Sequence, residues 1–200
     1  MAMRLGSLEW AGREVIVIIT VSGERQERES GSDGFGLFAD KSIVALRVNG
    51  QLRDLAYKLQ EGDDVEGVSI TSADGLNILR HSAAHVLAQA VQAINPKAKL
   101  GIGPPVTDGF YYDFDVEEPF TPDDLRQLEK QMQKIIQSGQ RFMRRVTDDS
   151  SAREELSTEP YKLELIGLKG SDLGDGAAEV GAGELTIYDN VDAATGETRW

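Results

Sequence analysis

The sequence predicts an α+β protein with a strand-rich first third and a mixed remainder. Three patterns carry this expectation. Short β-branched segments separated by turn residues fill residues 15–70. Two segments with helical apolar spacing, about Asn77–Ile94 and one beginning at Thr121, carry local start and stop signals. Shorter alternating segments lie between and after them.

Taking the elements in order, Val15 to Val21 reads as a central strand. Glu24-Arg25-Gln26-Glu27-Arg28-Glu29 follows a Ser22-Gly23 turn, and its mixed charges suit a solvent-facing edge that resists pairing with other chains. Gly31-Ser32-Asp33-Gly34 is a turn cluster, after which Phe35, Leu37 and Phe38 offer one short helical or irregular anchor. Ile43–Val48 and Gln51–Leu55 flank Asn49-Gly50, the strongest two-residue hairpin signal. Val65–Ile70 completes four or five strands around one short helix, which fits a small β-grasp-like module.

Residues 71–76 read as a linker with a helix cap at Ser72 or Asp74. The following helix takes Leu79, Ala83, Val86, Leu87, Ala90 and Ile94 as its apolar stripe and stops at Asn95-Pro96. Lys97–Gly103 is a candidate strand. Phe110, Tyr112, Phe114 and Val116 then alternate with Tyr111, Asp113, Asp115 and Glu117, predicting one half-buried strand with an aromatic inner face. The second helix has Thr121 as N-cap, Pro122 at its first position, an apolar set of Leu125, Leu128, Met132, Ile135 and Ile136, and Gly139 as its stop. Arg141–Val146 reads as a strand, Ser151–Leu156 as a short helix, and the residues after Pro160 have roughly helical spacing. Lys169–Gly183 is Gly- and Asp-rich and reads as a mobile loop. Glu184–Tyr188 and Glu197–Trp200 resemble a hairpin.

The 200 residues carry 21 basic and 34 acidic side chains, a net charge of −13, which opposes non-specific adhesion to phosphate backbones or anionic lipid. No run approaches the roughly 18 apolar residues of a membrane span, so a soluble, cytoplasmic chain without a membrane partner is expected. With no cysteine there is no disulfide framework, thiolate metal site or cysteine nucleophile.

The two histidines of the chain stand four apart in His81-Ser82-Ala83-Ala84-His85, which on a helix places both imidazoles on one face. They fall opposite the apolar stripe, beside Asn77, Gln89 and Gln92. Two readings are open: a solvated polar face, or a site, since histidine is the side chain best placed to move protons near neutral pH. A zinc site would need a further ligand from a distant carboxylate. Asp113 and Asp115 share a strand face, as a solvated edge or a carboxylate pair. Lys130, Lys134, Arg141, Arg144 and Arg145 form a local basic group, either a solvated helix end or a place for a phosphate backbone. Lys162, beside Tyr161 at the start of an apolar segment, is a candidate for partial burial and orientation of a substrate oxygen.

The run Asn77-Ile78-Leu79-Arg80-His81-Ser82-Ala83-Ala84-His85-Val86-Leu87, followed by Leu100-Gly101-Ile102-Gly103-Pro104-Pro105-Val106-Thr107-Asp108-Gly109-Phe110-Tyr111-Tyr112-Asp113, closely resembles bacterial threonyl-tRNA synthetases. Phe120-Thr121-Pro122-Asp123-Asp124-Leu125 and Glu159-Pro160-Tyr161-Lys162-Leu163-Glu164 continue the match in order. The resemblance implies a β-grasp (ubiquitin-like) TGS domain over residues 1–70, a linker over 71–76, and over 77–200 an α+β tRNA editing domain of the threonyl/alanyl type with a helix-borne HxxxH motif. It implies hydrolysis of serine wrongly attached to tRNA(Thr), with the acceptor end and its seryl-adenosine moiety as partner. His81, His85 and Lys162 would be the catalytic group, His81 orienting water or acting as general base, and Tyr112 and Gly103 would contact substrate. Related alanyl-specific editing proteins hold zinc at a similar site, whereas the threonyl site is described as working without metal, so no metal is expected. The family continues after a tryptophan like Trp200 into an Asp-Leu-Cys-Arg-Gly-Pro-His segment that completes its editing pocket; on this expectation the domain is truncated at its C-terminal end. ATP, Mg and zinc would belong to a catalytic core absent from this chain, leaving no cofactor here. The family is dimeric through that core, so a monomer is expected. A reading of another class is a non-catalytic module that binds the tRNA acceptor end or a small ligand.

Overall fold

Ile16–Val21 (β1) is a strand because all six of its residues are β-branched and alternate residues find a core on one side: Val17, Ile19 and Val21 are buried. A computed structural model describes residues 16–168, 185–192, 195–196 and 198–199. Chain contacts divide the protein into two units, Met1–Ser69 and Ile70–Trp200.

In the first unit, β1 is followed by Glu24–Glu29 (β2), Ile43–Val48 (β3), Gln51–Arg53 (β4) and Asp64–Ser69 (β5). They form one mixed sheet in the order β2-β1-β5-β3-β4, with β1 and β5 parallel and the other pairs antiparallel. The charged β2 lies at an edge, as its composition predicts. Asn49 and Gly50 turn the β3–β4 hairpin with φ of +51° and +82°, the two left-handed residues that a primed two-residue turn needs. Val17, Ile19, Val21, Leu46, Val48, Leu59 and Val65 make the core, covered by Leu37, Phe38, Leu55 and Tyr57. Residues 30–42 contain turns and bends, not the expected short helix. Their glycines and Asp-capped turns, with Asp33 Oδ1 accepting from Phe35 N–H and Asp40 Oδ1 from Ser42 N–H, favour local closure over helical propagation.

The second unit opens with Ala73–Ile94 (α1), which starts before the predicted Asn77. Ser72 is its N-cap and accepts from Gly75 N–H at 3.0 Å, so the residues read as linker form its first turn. Lys99–Leu100 (β6), Pro105–Val106 (β7), Gly109–Phe110 (β8) and Phe114–Asp115 (β9) follow. The predicted single aromatic strand is instead interrupted: β8 pairs with β7, and β9 with β6. The prolines at 104 and 105 supply no N–H, so an uninterrupted ladder is impossible. Between the two pairs, Gly101 N–H to Asp113 C=O and Asp113 N–H to Ile102 C=O keep the chain in one irregular hairpin.

Pro122–Gln137 (α2) has the predicted cap, with Thr121 and Asp124 forming a capping box. Ala90, Val91, Ala98, Leu128 and Ile135 make the second core, with Val86, Leu87, Phe114, Val116 and Met132 against it. The helical stripes are narrower than periodicity suggests: Leu79, Leu125 and Ile136 are 45%, 57% and 65% exposed. Arg141–Thr147 (β10), Asp149–Glu155 (α3), Pro160–Leu168 (α4), Leu185–Val191 (β11) and Thr198–Arg199 (β12) complete the unit. β10, β11 and β12 form an antiparallel sheet in that order, which includes the predicted terminal hairpin. The 169–183 loop reading lies outside the described residues. Among those described, no helix is long and apolar enough to cross a membrane.

Leu46 is fully enclosed in the first core. Leu46→Ala is expected to lower unfolding free energy by about 2–5 kcal/mol, seen as a lower denaturant midpoint.

Candidate functional site

The four-residue spacing in α1 brings the histidines into direct contact, with His81 Nε2 3.2 Å from His85 Nε2 and ring centroids 4.8 Å apart. One nitrogen donates and the other accepts, according to tautomer. The rings do not lie on an open polar face. Phe142 of β10 meets His85 edge-on at 6.1 Å between centroids, and both histidines are half-buried. Burial first, then the charges of His81 and Lys162, lower the His85 pKa to about 4. At neutral pH its imidazole is uncharged.

Lys162, in the first turn of α4, comes to the same place. Its Nζ makes a long contact of 3.5 Å with the Tyr112 hydroxyl and lies 5.7 Å from the ring centroid. Burial lowers its pKa, and the Glu159 carboxylate opposes that change. Tyr112 stacks on Phe114 at 4.7 Å, and Phe114 meets Phe120 edge-on. Burial, with the negative charge of Glu159, raises the Tyr112 pKa to about 12, which keeps the phenol protonated and able to donate. Gly103 lies against this ring: a Cβ there would come under 3.0 Å from three Tyr112 ring carbons. The structure thus brings together His81, His85, Lys162, Tyr112 and Gly103.

The basic group is differently disposed. Lys130 and Lys134 are exposed on α2. Arg145 pairs with Asp189 at 2.7 Å and with Glu155, so it is held within the fold by two carboxylates. Arg141 and Arg145 share one face of β10 and Arg144 stands on the other, by the pleat of the strand. Asp115 accepts from the Tyr161 hydroxyl at 2.8 Å, and Asp113 and Asp115 both line a cleft of about 540 Å³ with Ile102, Phe114 and Glu164.

Two participants were not singled out by sequence reasoning. Glu159 is 4% exposed, and its carboxylate accepts from Gln92 Nε2 at 3.3 Å and from Leu100 N–H at 3.2 Å. Its position before Pro160 marks a helix start, but nothing in local sequence signals burial. Phe142 faces His85 from a strand in which half of the other residues are arginines, so its role emerges only from tertiary packing. Among the described residues, no group of three or more His, Cys, Asp or Glu is placed to hold a metal ion.

Sequence comparison places this geometry in a family context. The chain is 64% identical over 192 residues to the threonine–tRNA ligase of Streptomyces coelicolor, a match covering 94% of this chain and 29% of that protein. It is 65% identical over 175 residues to the threonine–tRNA ligase of Leifsonia xyli, covering 84% and 25%, and 57% identical over 187 residues to that of Thermobifida fusca, covering 91% and 28%. No protein-family model matches the chain. Over the portion it shares with these proteins, the chain is closely similar to threonine–tRNA ligases. It spans less than a third of the length of these relatives.

Gly103→Ala is expected to push the Tyr112 ring out of place, destabilising the second unit by about 1–3 kcal/mol in thermal or denaturant unfolding. A second expectation follows from His85. Its folded pKa lies below the unfolded value of 6.5, so the unfolded chain binds more protons between about pH 6.5 and 4. Stability is therefore full above that window and falls as pH drops through it, by on the order of 3 kcal/mol from this group. His85→Gln should flatten that part of a pH–stability curve.

Proposed function

We propose that residues 77–200 form a hydrolytic editing domain that removes serine from mischarged tRNA(Thr), and that residues 1–70 form a TGS domain of the β-grasp type. The observation that carries the first assignment is the convergence of the paired histidines, the Lys162 amine and the Tyr112 phenol on one half-buried place beside Gly103. A mixed five-stranded sheet with a parallel β1–β5 pair at its centre supports the second. The similarity to threonine–tRNA ligases makes tRNA(Thr) the partner of choice, and cytoplasmic work on that tRNA suits a chain without a membrane-spanning helix among its described residues.

The chemical need is clear. Serine lacks one methyl of threonine, a difference worth about 1–3 kcal/mol or roughly 10–200-fold in a binding pocket, so accuracy beyond that needs a second, hydrolytic site. In the proposed reaction, His81 takes a proton from water as the water oxygen bonds to the ester carbonyl carbon. The tetrahedral adduct then collapses, the bond from that carbon to the ribose oxygen of the terminal adenosine breaks, and the proton passes to the leaving oxygen. His85, with a pKa of about 4, is a poor proton acceptor and serves instead to fix the His81 ring through the 3.2 Å nitrogen contact. Lys162 and the Tyr112 hydroxyl are placed to polarise the carbonyl oxygen. The reaction assigned here needs no cofactor or metal.

The test is release of amino acid from seryl- and threonyl-tRNA(Thr), with and without chelator. The 200-residue chain and a form extended through the family's Cys- and His-bearing segment are compared. Faster release of serine, unaffected by chelator and reduced about 10²–10⁴-fold by His81→Ala, is the expected result. No serine release by either form, with tRNA binding intact and unchanged in His81→Ala, would establish the non-catalytic binding module instead.

A further inference from the structure

Resting on the editing reading of the same site, we propose that Glu159 is a positioning residue that sets both the location and the charge of Lys162. Its carboxylate joins three elements at once. Oε1 accepts from Gln92 on α1, Oε2 accepts from the Leu100 backbone on β6, and the residue itself immediately precedes α4. Its backbone carbonyl also accepts from the N–H groups of Lys162 and Leu163, closing the first turn of that helix. Lys162 stands one turn beyond, so the side chain that reaches Tyr112 is held by the same residue that ties α4 to the helix carrying the histidines and to the strand leading to Gly103.

The buried setting makes the charge as significant as the hydrogen bonds. Lys162 is drawn from water, and an ammonium in such a place is destabilised unless a negative charge is near. The groups facing it are His85, itself against His81, from α1; Tyr112 from the hairpin; and Glu159 from the position just before its own helix. Among the charges on other elements packed on α4, Lys99 of β6 donates to the Thr158 carbonyl at 2.9 Å, Arg153 of α3 pairs with Asp149 at 2.5 Å, and Asp115 of β9 accepts from the Tyr161 hydroxyl at 2.8 Å. With His85 uncharged at neutral pH and Tyr112 protonated, Glu159 is the negative group that keeps Lys162 cationic and therefore fit to polarise a carbonyl oxygen.

Two variants separate charge from reach. Glu159→Gln preserves length and can keep both hydrogen bonds if the Gln92 amide turns over to accept, but it removes the charge. Glu159→Asp keeps the charge and draws it back by one methylene. In the 200-residue chain, Lys162 is followed by NMR of ¹³C-methylated lysines, with Lys162→Arg assigning its signal, alongside thermal unfolding. The expected result is a clear downward shift of the Lys162 titration midpoint in Glu159→Gln, a smaller one in Glu159→Asp, and a greater loss of thermal stability in Glu159→Asp than in Glu159→Gln. Where seryl-tRNA(Thr) is cleaved, the alkaline limb of the rate profile should move to lower pH in Glu159→Gln. An unmoved Lys162 midpoint in both variants overturns the inference and leaves Glu159 a structural clamp alone. Absence of ester cleavage by the unsubstituted protein counts against the editing reading, while the Lys162 titration still decides the role of Glu159.

Discussion

The second unit depends on the two-sidedness of α1. One side of the helix packs on α2 through Val86, Leu87, Ala90 and Val91, while another carries His81, His85, Gln89 and Gln92 toward the remaining elements. Small residues make that possible. Ala84, Ala88 and Ala90 are almost fully enclosed, so neighbouring chain closes on the helix without large side chains holding it away. Short polar ties then become feasible: Gln89 accepts from the buried Asn190 of β11 at 3.3 Å, and Gln92 donates to Glu159. An isolated 22-residue helix would gain little from these bonds in water, where the amides are already solvated; within the folded unit they join separate sheet and helix segments.

Burial has a second consequence at the site. Removing histidine from water favours its uncharged form, and removing a phenol from water favours its protonated form, so desolvation, reinforced by neighbouring charges, holds His85 and Tyr112 as neutral hydrogen-bonding groups at pH 7. The place is therefore not a concentration of like charge but a set of oriented dipoles with Lys162 and the opposing carboxylate of Glu159 among them. Preorganised dipoles of this kind stabilise charge that develops during a reaction, because they need not reorient when it appears. Aromatic packing supplies the rigidity. The Tyr112–Phe114 stack and the Phe114–Phe120 contact fix the phenol, and Phe142 buttresses His85.

Much of this organisation was legible in the sequence where local physics decides. Asn49-Gly50 specifies a hairpin through its backbone conformations, Thr121-Pro122 specifies a helix start, and the charged β2 declares an edge. The HxxxH spacing correctly places two rings side by side, since helical geometry alone determines it. Their surroundings were another matter. Periodicity assigned them to the face away from the core because it recognises one apolar stripe per helix, whereas α1 has further structure packed against its polar side. Glu159 was invisible for the same reason: a carboxylate before proline looks like a surface cap until Gln92 and the Leu100 amide, both distant in sequence, are brought to it. The broken aromatic strand shows a different failure, in which alternation survived while the hydrogen-bond partners changed at Gly101 and the prolines.

The division of labour between the two histidines follows from their unequal surroundings. Both belong to one motif and occupy equivalent steps on one helix, so sequence alone assigns them equal chemistry. In the folded chain, the His85 ring meets Phe142 and feels the positive field of Lys162. That setting suppresses its protonation and leaves it a neutral partner whose nitrogen can orient the neighbouring ring. Proton acceptance in the editing reading therefore falls to His81, and the neutral state of His85 becomes useful: an imidazolium 3.2 Å away would oppose the charge His81 gains when it takes a proton. A pair with unequal environments can hold one tautomer and move one proton, which a symmetric, fully solvated pair on a helix surface would not do.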